Sequence, residues 1–284
     1  MRFSVFTAST PQWSPAEAVR VLAGQGWDGV EWRVTDQEPA PEPGFWKGNL
    51  ATWPLTGLEE HLPEIARLTR DAGLEFSGIG GYVVCSDRAG VERMLAATAA
   101  LGAGRVRVAM PALGTGRYPD LFARARADLE WTADRAATHD VQALVELHHR
   151  TIVASASAAV RLVDGLDPAR VGVIHDVGNL VIEGHEDHLA GFEMLGPYLA
   201  HVHVKNVAWE PTGRRPDGST EWAERWATLR EGQADLGAYF RALAAVGYDG
   251  WITVEDFSTA LPLADRTRDN LRFLRELAAT SSAS

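Results

Sequence analysis

The chain of 284 residues is long enough for one large α/β barrel or for two ordinary domains, and either could bury a substantial core. Its formal net charge of −11, without dense Lys/Arg runs, argues against nucleic acid as a partner, because phosphate backbones are bound by clustered cations. A membrane span is also excluded, since no apolar stretch reaches the roughly 18 residues that it requires.

The expected location is the cytoplasm. The N-terminus begins with what reads as a strand and lacks the apolar region and cleavage site of a secretory signal. Cys85 is the single cysteine, so an intrachain disulfide is excluded and an oxidising compartment is not indicated.

Short β-rich runs alternate with helical periodicity along the whole chain. The predicted strands, in chain order, are Arg2–Thr7, Gly29–Val34, Leu74–Gly80, Arg105–Met110, Val141–Leu147, Arg170–Asp176, Ala200–Lys205 and Gly250–Glu255. Strands that alternate with helices form a parallel sheet. Because no Pro/Ser-rich linker divides the chain, the pattern predicts a single α/β domain, a (β/α)8 TIM barrel over residues 1–279, followed by a frayed tail at 280–284.

Two connections are too long to be plain βα loops. They run from Thr35 to Thr56 after the second strand and from Val207 to Gln233 after the seventh, and both are rich in proline and tryptophan. Long segments of this kind are either functional or disordered, and tryptophans argue against disorder. Any one tryptophan can simply pack its loop onto the barrel, but together they suggest a covered pocket in which an aromatic face stacks on a sugar ring.

Four residues that a divalent metal accepts stand at the ends of four of the predicted strands. They are Glu146, Asp176, His203 and Glu255, at successive spacings of 30, 27 and 52 residues. A βα unit takes roughly 30 residues, so this spacing fits ligands at the C-terminal ends of successive barrel strands, where such barrels keep their chemistry. A lone acid at a strand end is more often a helix N-cap or a surface charge, but four in a row are much less expected by accident.

Three carboxylates and one imidazole are a donor set for one divalent ion. Mn²⁺ is the expected ion, with Co²⁺, Mg²⁺ and Zn²⁺ as alternatives, because the imidazole shifts an oxygen-rich site away from purely hard cations. Such an ion acts as a Lewis acid that stabilises an enediolate when a proton leaves the carbon beside a carbonyl. Two carboxylates on opposite sides of that carbon could remove the proton and return it.

The same strand ends lie within longer motifs that resemble a known family. The motifs Val145-Glu146-Leu147-His148, His175-Asp176-Val177-Gly178-Asn179, His201-Val202-His203-Val204-Lys205-Asn206 and Gly247 to Glu255 resemble the sugar phosphate isomerase/epimerase family of xylose-isomerase-like barrels. The resemblance implies Glu146, Asp176, His203 and Glu255 as metal ligands, and Glu146 and Glu255 as the paired acid and base. The choice of His203 over His201 rests on this resemblance.

Further residues are candidates for contact with the substrate. The set comprises His148, Lys205, Asn179, Trp209 and Arg215. Asn179 stands where the family's epimerases and its DNA-repair branch often have histidine, which weakens assignment to the ketose 3-epimerases. Glu31 and Arg33 share one face of the second strand, where an ion pair is as plausible as a substrate contact.

The leading hypothesis is a metal-dependent isomerase or epimerase of a small carbohydrate or glycoside. The alternative keeps the same enediolate but expels a leaving group, as in an inosose dehydratase or a keto-glycoside or C-glycoside deglycosidase. A third hypothesis is a non-catalytic barrel that binds sugar or a partner protein, and assembly into a homo-oligomer or a hetero-complex stays open. Fold alone does not separate these functions.

Overall fold

The computed structural model describes residues 1–281, in which a closed barrel of parallel strands is surrounded by helices. The strands are β1 (Arg2–Phe6), β2 (Gly29–Val34), β3 (Thr52–Trp53), β4 (Glu75–Gly81), β5 (Arg105–Arg107), β6 (Gln142–Glu146), β7 (Val171–Asp176), β8 (Leu199–Val204), β9 (Asn206–Arg214), β10 (Thr220–Ala227) and β11 (Trp251–Val254). The barrel strands follow the order β1-β2-β4-β5-β6-β7-β8-β11, and β1 closes the ring by pairing with both β2 and β11. Each predicted strand overlaps one of these, so the predicted (β/α)8 barrel is confirmed.

The helices follow the barrel strands and cover the outside of the barrel. They are α1 (Pro15–Gln25), α2 (Leu58–Asp71), α3 (Arg88–Leu101), α4 (Tyr118–His139), α5 (Ala156–Val163), α6 (Val177–Ile182), α7 (His188–Leu195), α8 (Leu236–Ala245) and α9 (Leu263–Ser281). Helix α9 reaches Ser281, so the predicted tail begins inside a helix, and its last three residues lie outside the described residues. Within residues 1–281, no helix is both long enough and apolar enough to cross a membrane.

Local sequence signals begin and end these helices. Ser14 caps α1 by accepting a hydrogen bond from the backbone N–H of Glu17, and Pro15 occupies the first helical position. Gly26 then ends the helix with a left-handed backbone (φ 89°), a conformation that costs glycine little. The buried faces of the helices carry leucines such as Leu22 and Leu274, and full burial of one such side chain contributes about 1.5–3 kcal/mol.

A glycine inside the barrel makes room for an aromatic ring beneath the predicted site. A Cβ atom on Gly80 would lie 2.0 Å from the ring of Phe6, so no larger residue fits there without displacing that ring. Phe6 in turn stacks against His203, with ring centroids 5.9 Å apart and planes inclined by 23°. The packing of β1 against β4 therefore supports the histidine on β8 that the sequence predicts as a metal ligand.

The two long connections contain β-structure that the sequence did not predict. In the first, β3 pairs with the end of β2, and in the second, β9 and β10 form an antiparallel hairpin. Pro211 is tolerated within β9 because a two-stranded ribbon has free edges, where a missing N–H donor breaks no ladder. The predicted loop after the seventh barrel strand is therefore largely a hairpin, and its base brings Trp226 next to Phe257.

Candidate metal centre and active-site cavity

The four predicted strand-end residues meet at the C-terminal end of the barrel. Glu146, Asp176, His203 and Glu255 are all buried, and each offers a ligand atom within 4.8 Å of those of the others. The strand register produces this meeting, because Asp176 on β7 lies directly opposite His203 on β8, and β8 pairs in turn with β11. The arrangement concentrates three carboxylates and an imidazole around one point.

His203 is oriented by a carboxylate on the far side of its ring. Its Nε2 lies 3.0 Å from Oε2 of Glu31, while its Nδ1 faces Oε1 of Glu255 at 3.3 Å and Oε1 of Glu146 at 3.7 Å. Among the described residues, this buried Nδ1 has no hydrogen-bond partner. Burial opposes a charged imidazole, but Glu31 and Glu255 outweigh it and raise the pKa of His203.

Glu31 belongs to a hydrogen-bonded chain that crosses the barrel interior. The same Oε2 atom lies 3.1 Å from Nε2 of His201, which also contacts the hydroxyl of Thr253 at 2.8 Å, and Thr253 contacts Ser4. Glu31 therefore bonds two histidines. The ion pair with Arg33 considered from the sequence is absent among the described residues, since Arg33 bonds Gln37 and Thr52 instead.

Two cations neutralise the carboxylates of the centre. The Arg107 guanidinium lies 2.5 Å from Oε2 of Glu146 and also donates to the backbone oxygen of Gly81. Burial raises the pKa of Glu146, but Arg107 and His203 outweigh it and hold that pKa well below its usual range. Arg107 was not identified from the sequence, because an inward-facing arginine on a short strand carries no distinctive motif.

Lys205 places its ammonium group among the remaining carboxylates. Its Nζ lies 2.5 Å from Oδ2 of Asp176, 2.6 Å from Oε2 of Glu255 and 3.8 Å from Oε1 of Glu146. Burial lowers the pKa of Lys205, but these three carboxylates outweigh that effect and raise it. Lys205 is therefore a cation at neutral pH, unsuited to act as an amine nucleophile.

Asp176 and Asn179 connect helix α6 to the centre. Oδ1 of Asp176 caps helix α6 by accepting from the backbone N–H of Asn179, so this acid is both a helix cap and a member of the cluster. The Asn179 amide donates to Oε1 of Glu146 and to the backbone oxygen of Leu147, and its oxygen contacts Nδ1 of His149 at 2.7 Å. Asn179 is fully buried and contacts Glu146 and His149, and its predicted contact with the substrate stays a prediction.

A cavity of about 330 Å³ opens onto one side of this cluster. Glu146, Glu255, Lys205, His148 and His149 supply polar groups to its wall, together with Arg107. Rings from both long connections and from the strand ends complete the wall, namely Trp46, Tyr82, Trp226 and Phe257. The ring centroids of Trp46 and Phe257 are 4.7 Å apart, so these two rings form one aromatic surface in the wall.

Two of the predicted substrate residues lie away from this cavity. The indole N–H of Trp209 donates to the backbone oxygen of Val181, which holds β9 against α6. Arg215 is exposed in the turn of the hairpin, where its backbone bonds Ser219. His148 and Lys205 do line the cavity, so the structure brings two of the five predicted contacts to it.

The model of one protein family matches nearly the whole chain. The xylose isomerase-like TIM barrel matches residues 19–277, a range that contains all four residues of the cluster. This chain belongs to the xylose isomerase-like TIM barrel family. The family assignment agrees with the resemblance seen in the strand-end motifs.

The curated relatives that match this chain in sequence include inosose dehydratases. An inosose dehydratase from Geobacillus thermodenitrificans (strain NG80-2) is 29% identical over 127 residues, which are 43% of this chain and 42% of that protein. The aligned segment thus spans less than half of the length of that relative. The sequence similarity therefore covers only part of both proteins.

Two solved structures share the fold over almost their full length. A 3-keto-D-glucoside 4-epimerase from E. coli superposes with a TM-score of 0.72 at 18% identity, covering 97% of this chain and 99% of its own. A xylose isomerase-like TIM barrel protein from Mycobacterium smegmatis, in complex with magnesium, has a TM-score of 0.72 at 17% identity, covering 99% and 97%. At these sequence identities, the two comparisons show a shared fold only.

Proposed function

We propose that this chain is a divalent-metal-dependent isomerase or epimerase that moves a proton on the carbon next to a carbonyl of a small carbohydrate. The observation that supports this most directly is the division of the four cluster residues. Glu146 and Glu255 line the cavity, whereas Asp176 and His203 are fully buried and do not belong to its lining. Two carboxylates can thus reach a substrate while all four surround one point.

The residues of the cluster fit a divalent ion. Glu31 engages Nε2 of His203, so the opposite nitrogen, Nδ1, faces the carboxylates with no hydrogen-bond partner among the described residues. A carboxylate behind a ligating histidine is the usual way in which proteins fix the tautomer of such a ligand. Glu146, Asp176, His203 and Glu255 would hold the ion, for which Mn²⁺ is our first choice.

When bound, such an ion supplies Lewis-acid stabilisation for the negative charge that develops beside a carbonyl as a proton leaves. Glu255 then takes the proton from the substrate carbon. Burial raises the pKa of this carboxyl, but Lys205 and His203 outweigh it and lower the pKa to about 2, which keeps the group ionised. In an epimerase or isomerase, Glu146 would take up a proton from solvent and deliver it to the other face or to the neighbouring carbon, and Glu255 would release to solvent the proton that it removed. Trp46, Trp226 and Phe257 line the cavity in which that step would occur.

A lyase of the same family is the second candidate. The inosose dehydratase relatives favour it, and so does Arg107, whose bond to Glu146 opposes protonation of the acid that would return the proton. In this variant, Glu255 removes the proton, a carbon–carbon double bond forms, and the neighbouring C–O bond breaks. The departing hydroxyl takes up the proton that Glu255 removed and leaves as water.

One experiment tests both candidates. Purified protein loaded with Mn²⁺ is incubated in D₂O with free keto-sugars, an inosose and keto-glycosides, and the products are followed by NMR and mass spectrometry. Deuterium at the carbon next to the carbonyl with retention of all oxygens indicates an isomerase or epimerase, whereas loss of water or of the aglycone indicates the lyase. If no substrate exchanges a proton while Mn²⁺ is bound, the proposed chemistry is wrong.

A further inference from the structure

The ammonium group of Lys205 occupies the space between three of the proposed ligands. It contacts Asp176 and Glu255 at hydrogen-bond distance and lies 3.8 Å from Glu146. The side chain is only 3% exposed, so it is a built part of the centre. A compact ammonium is the protein group that most resembles a small metal ion in size and charge.

The neighbouring helix is shaped to admit this side chain. A Cβ atom on Gly178 would lie 2.3 Å from Cγ of Lys205 and 2.9 Å from its backbone oxygen. Gly178 is the second residue of α6, directly after Val177, so glycine at this position leaves the path along which the lysine stem reaches the carboxylates. Glycine at position 178 therefore allows the Lys205 side chain to reach the carboxylates.

Composition also singles out this residue. Only two of the 27 basic side chains are lysines, Lys47 and Lys205, and the others are arginines. The neighbouring ion pair of the centre is made by an arginine, Arg107, which bonds Glu146. A planar guanidinium cannot replace an ion-sized point charge among several carboxylates, which gives a physical reason for lysine at 205.

We propose that Lys205 is an internal counter-cation that occupies the carboxylate oxygens in the absence of a divalent ion and moves toward the cavity when such an ion binds. This inference rests on the proposed function, since it takes the same four residues as ligands. Two positive charges a few ångströms apart repel each other strongly in a buried site, so both cannot hold the same oxygens. The ammonium and the ion therefore compete.

The cavity offers the displaced ammonium a second position. Nζ of Lys205 lies 6.0 Å from the ring of Trp226 and 5.9 Å from that of Phe257, and all three residues line the cavity. Aromatic faces attract cations at such distances. A displaced Lys205 would meet the oxygen of a substrate there, so ion binding also positions a cation toward the substrate.

Calorimetry on two matched variants tests the competition. Mn²⁺ is titrated into wild type, Lys205→Met and Lys47→Met, after each protein has been treated with chelator, and the melting temperature of each chelated protein is recorded. We expect Lys205→Met to bind Mn²⁺ at least about ten-fold more tightly than wild type and to melt at a lower temperature without metal, because its carboxylates lack a counter-cation. Lys47 is exposed, so Lys47→Met should match wild type. Equal or weaker Mn²⁺ binding by Lys205→Met would overturn the inference.

A second measurement needs no substitution at Lys205. In protein labelled with ¹³C-lysine, the two lysines give two sets of side-chain resonances, which Lys47→Met assigns. Titration with diamagnetic Zn²⁺ should shift the Lys205 Cε resonance up to one equivalent and leave that of Lys47 in place. An unmoved Lys205 resonance while Zn²⁺ binds would contradict displacement.

The two proposals fail separately. If metal binding and the Lys205 response are as expected but no substrate exchanges a proton, the proposed function is wrong and the counter-cation stands.

Discussion

The orientation of a single imidazole decides how the candidate centre works. Glu31 holds Nε2 of His203 and, through the same oxygen, Nε2 of His201, so the ring of His203 is locked with Nδ1 toward the carboxylates. Phe6 stacks on the ring from the barrel interior. A histidine held on two sides loses little conformational freedom when it binds an ion, and such support increases metal affinity.

Substitution of Glu31 by glutamine should weaken metal binding while leaving the fold intact. The amide keeps one acceptor oxygen but loses the charge that holds both histidines, so we expect Mn²⁺ affinity to fall by about 10–100-fold. Isothermal titration calorimetry measures this, with Glu60→Gln as the control because Glu60 is exposed on α2. An unchanged dissociation constant would show that Glu31 does not position the ligand.

At the scale of elements, the hairpin of β9 and β10 is a wall of the cavity at its base and an exposed ribbon at its tip. Trp226 near the base contacts Phe257, with ring centroids 5.3 Å apart, whereas Trp222 on the same strand is 52% exposed. A two-stranded ribbon alone is marginally stable in water, so its anchored base carries the structural role. The two tryptophans therefore provide a matched pair for testing how the hairpin contributes to binding.

We expect Trp226→Ala to raise KM by about ten-fold with a smaller effect on kcat, because it removes apolar surface from the cavity without touching the carboxylates. Steady-state kinetics on the substrate found in the exchange screen measures the change. Trp222→Ala should behave like wild type. Equal KM values for all three proteins would mean that the base of the hairpin does not contact the substrate.

At the scale of the whole molecule, the candidate centre ties distant parts of the barrel together. Three of its members lie on β6, β7 and β8, the fourth, Glu255, directly follows β11, and Glu31 adds β2 from the other side of the ring. A ligand that binds these groups only when the barrel is closed stabilises the folded state by mass action. Ion binding and the stability of the barrel should therefore be linked.

Saturation with Mn²⁺ should raise the melting temperature of wild type. At a free concentration 100 times the dissociation constant, linkage contributes about 2.7 kcal/mol, which for a chain of this size amounts to roughly 5–10 °C. Differential scanning calorimetry with and without Mn²⁺ gives the shift, and Asp176→Asn, which keeps a capping oxygen, should lose most of it. A shift that persists in that variant would place the ion elsewhere.

Sequence patterns predict the strands and the meeting of the four residues, but only part of their surroundings. Barrel strands are buried on both faces and end in polar residues, so Glu146 and Glu255 could be placed from spacing and strand direction alone. The contacts of Arg107 and Glu31 could not be predicted, because they depend on which inward side chains reach each other across the barrel. Arg215 is exposed in the hairpin turn and is not among the residues that line the cavity, so its contact with the substrate stays a prediction.

Proton exchange by wild type and by Glu255→Gln tests whether Glu255 removes the proton next to the carbonyl. Both proteins are loaded with Mn²⁺, retention of the ion is checked by electron paramagnetic resonance, and a substrate identified in the screen is incubated with each in D₂O. We expect deuterium next to the carbonyl with wild type and none with Glu255→Gln. Continued exchange by Glu255→Gln at the rate of wild type would contradict the role of Glu255 as the base.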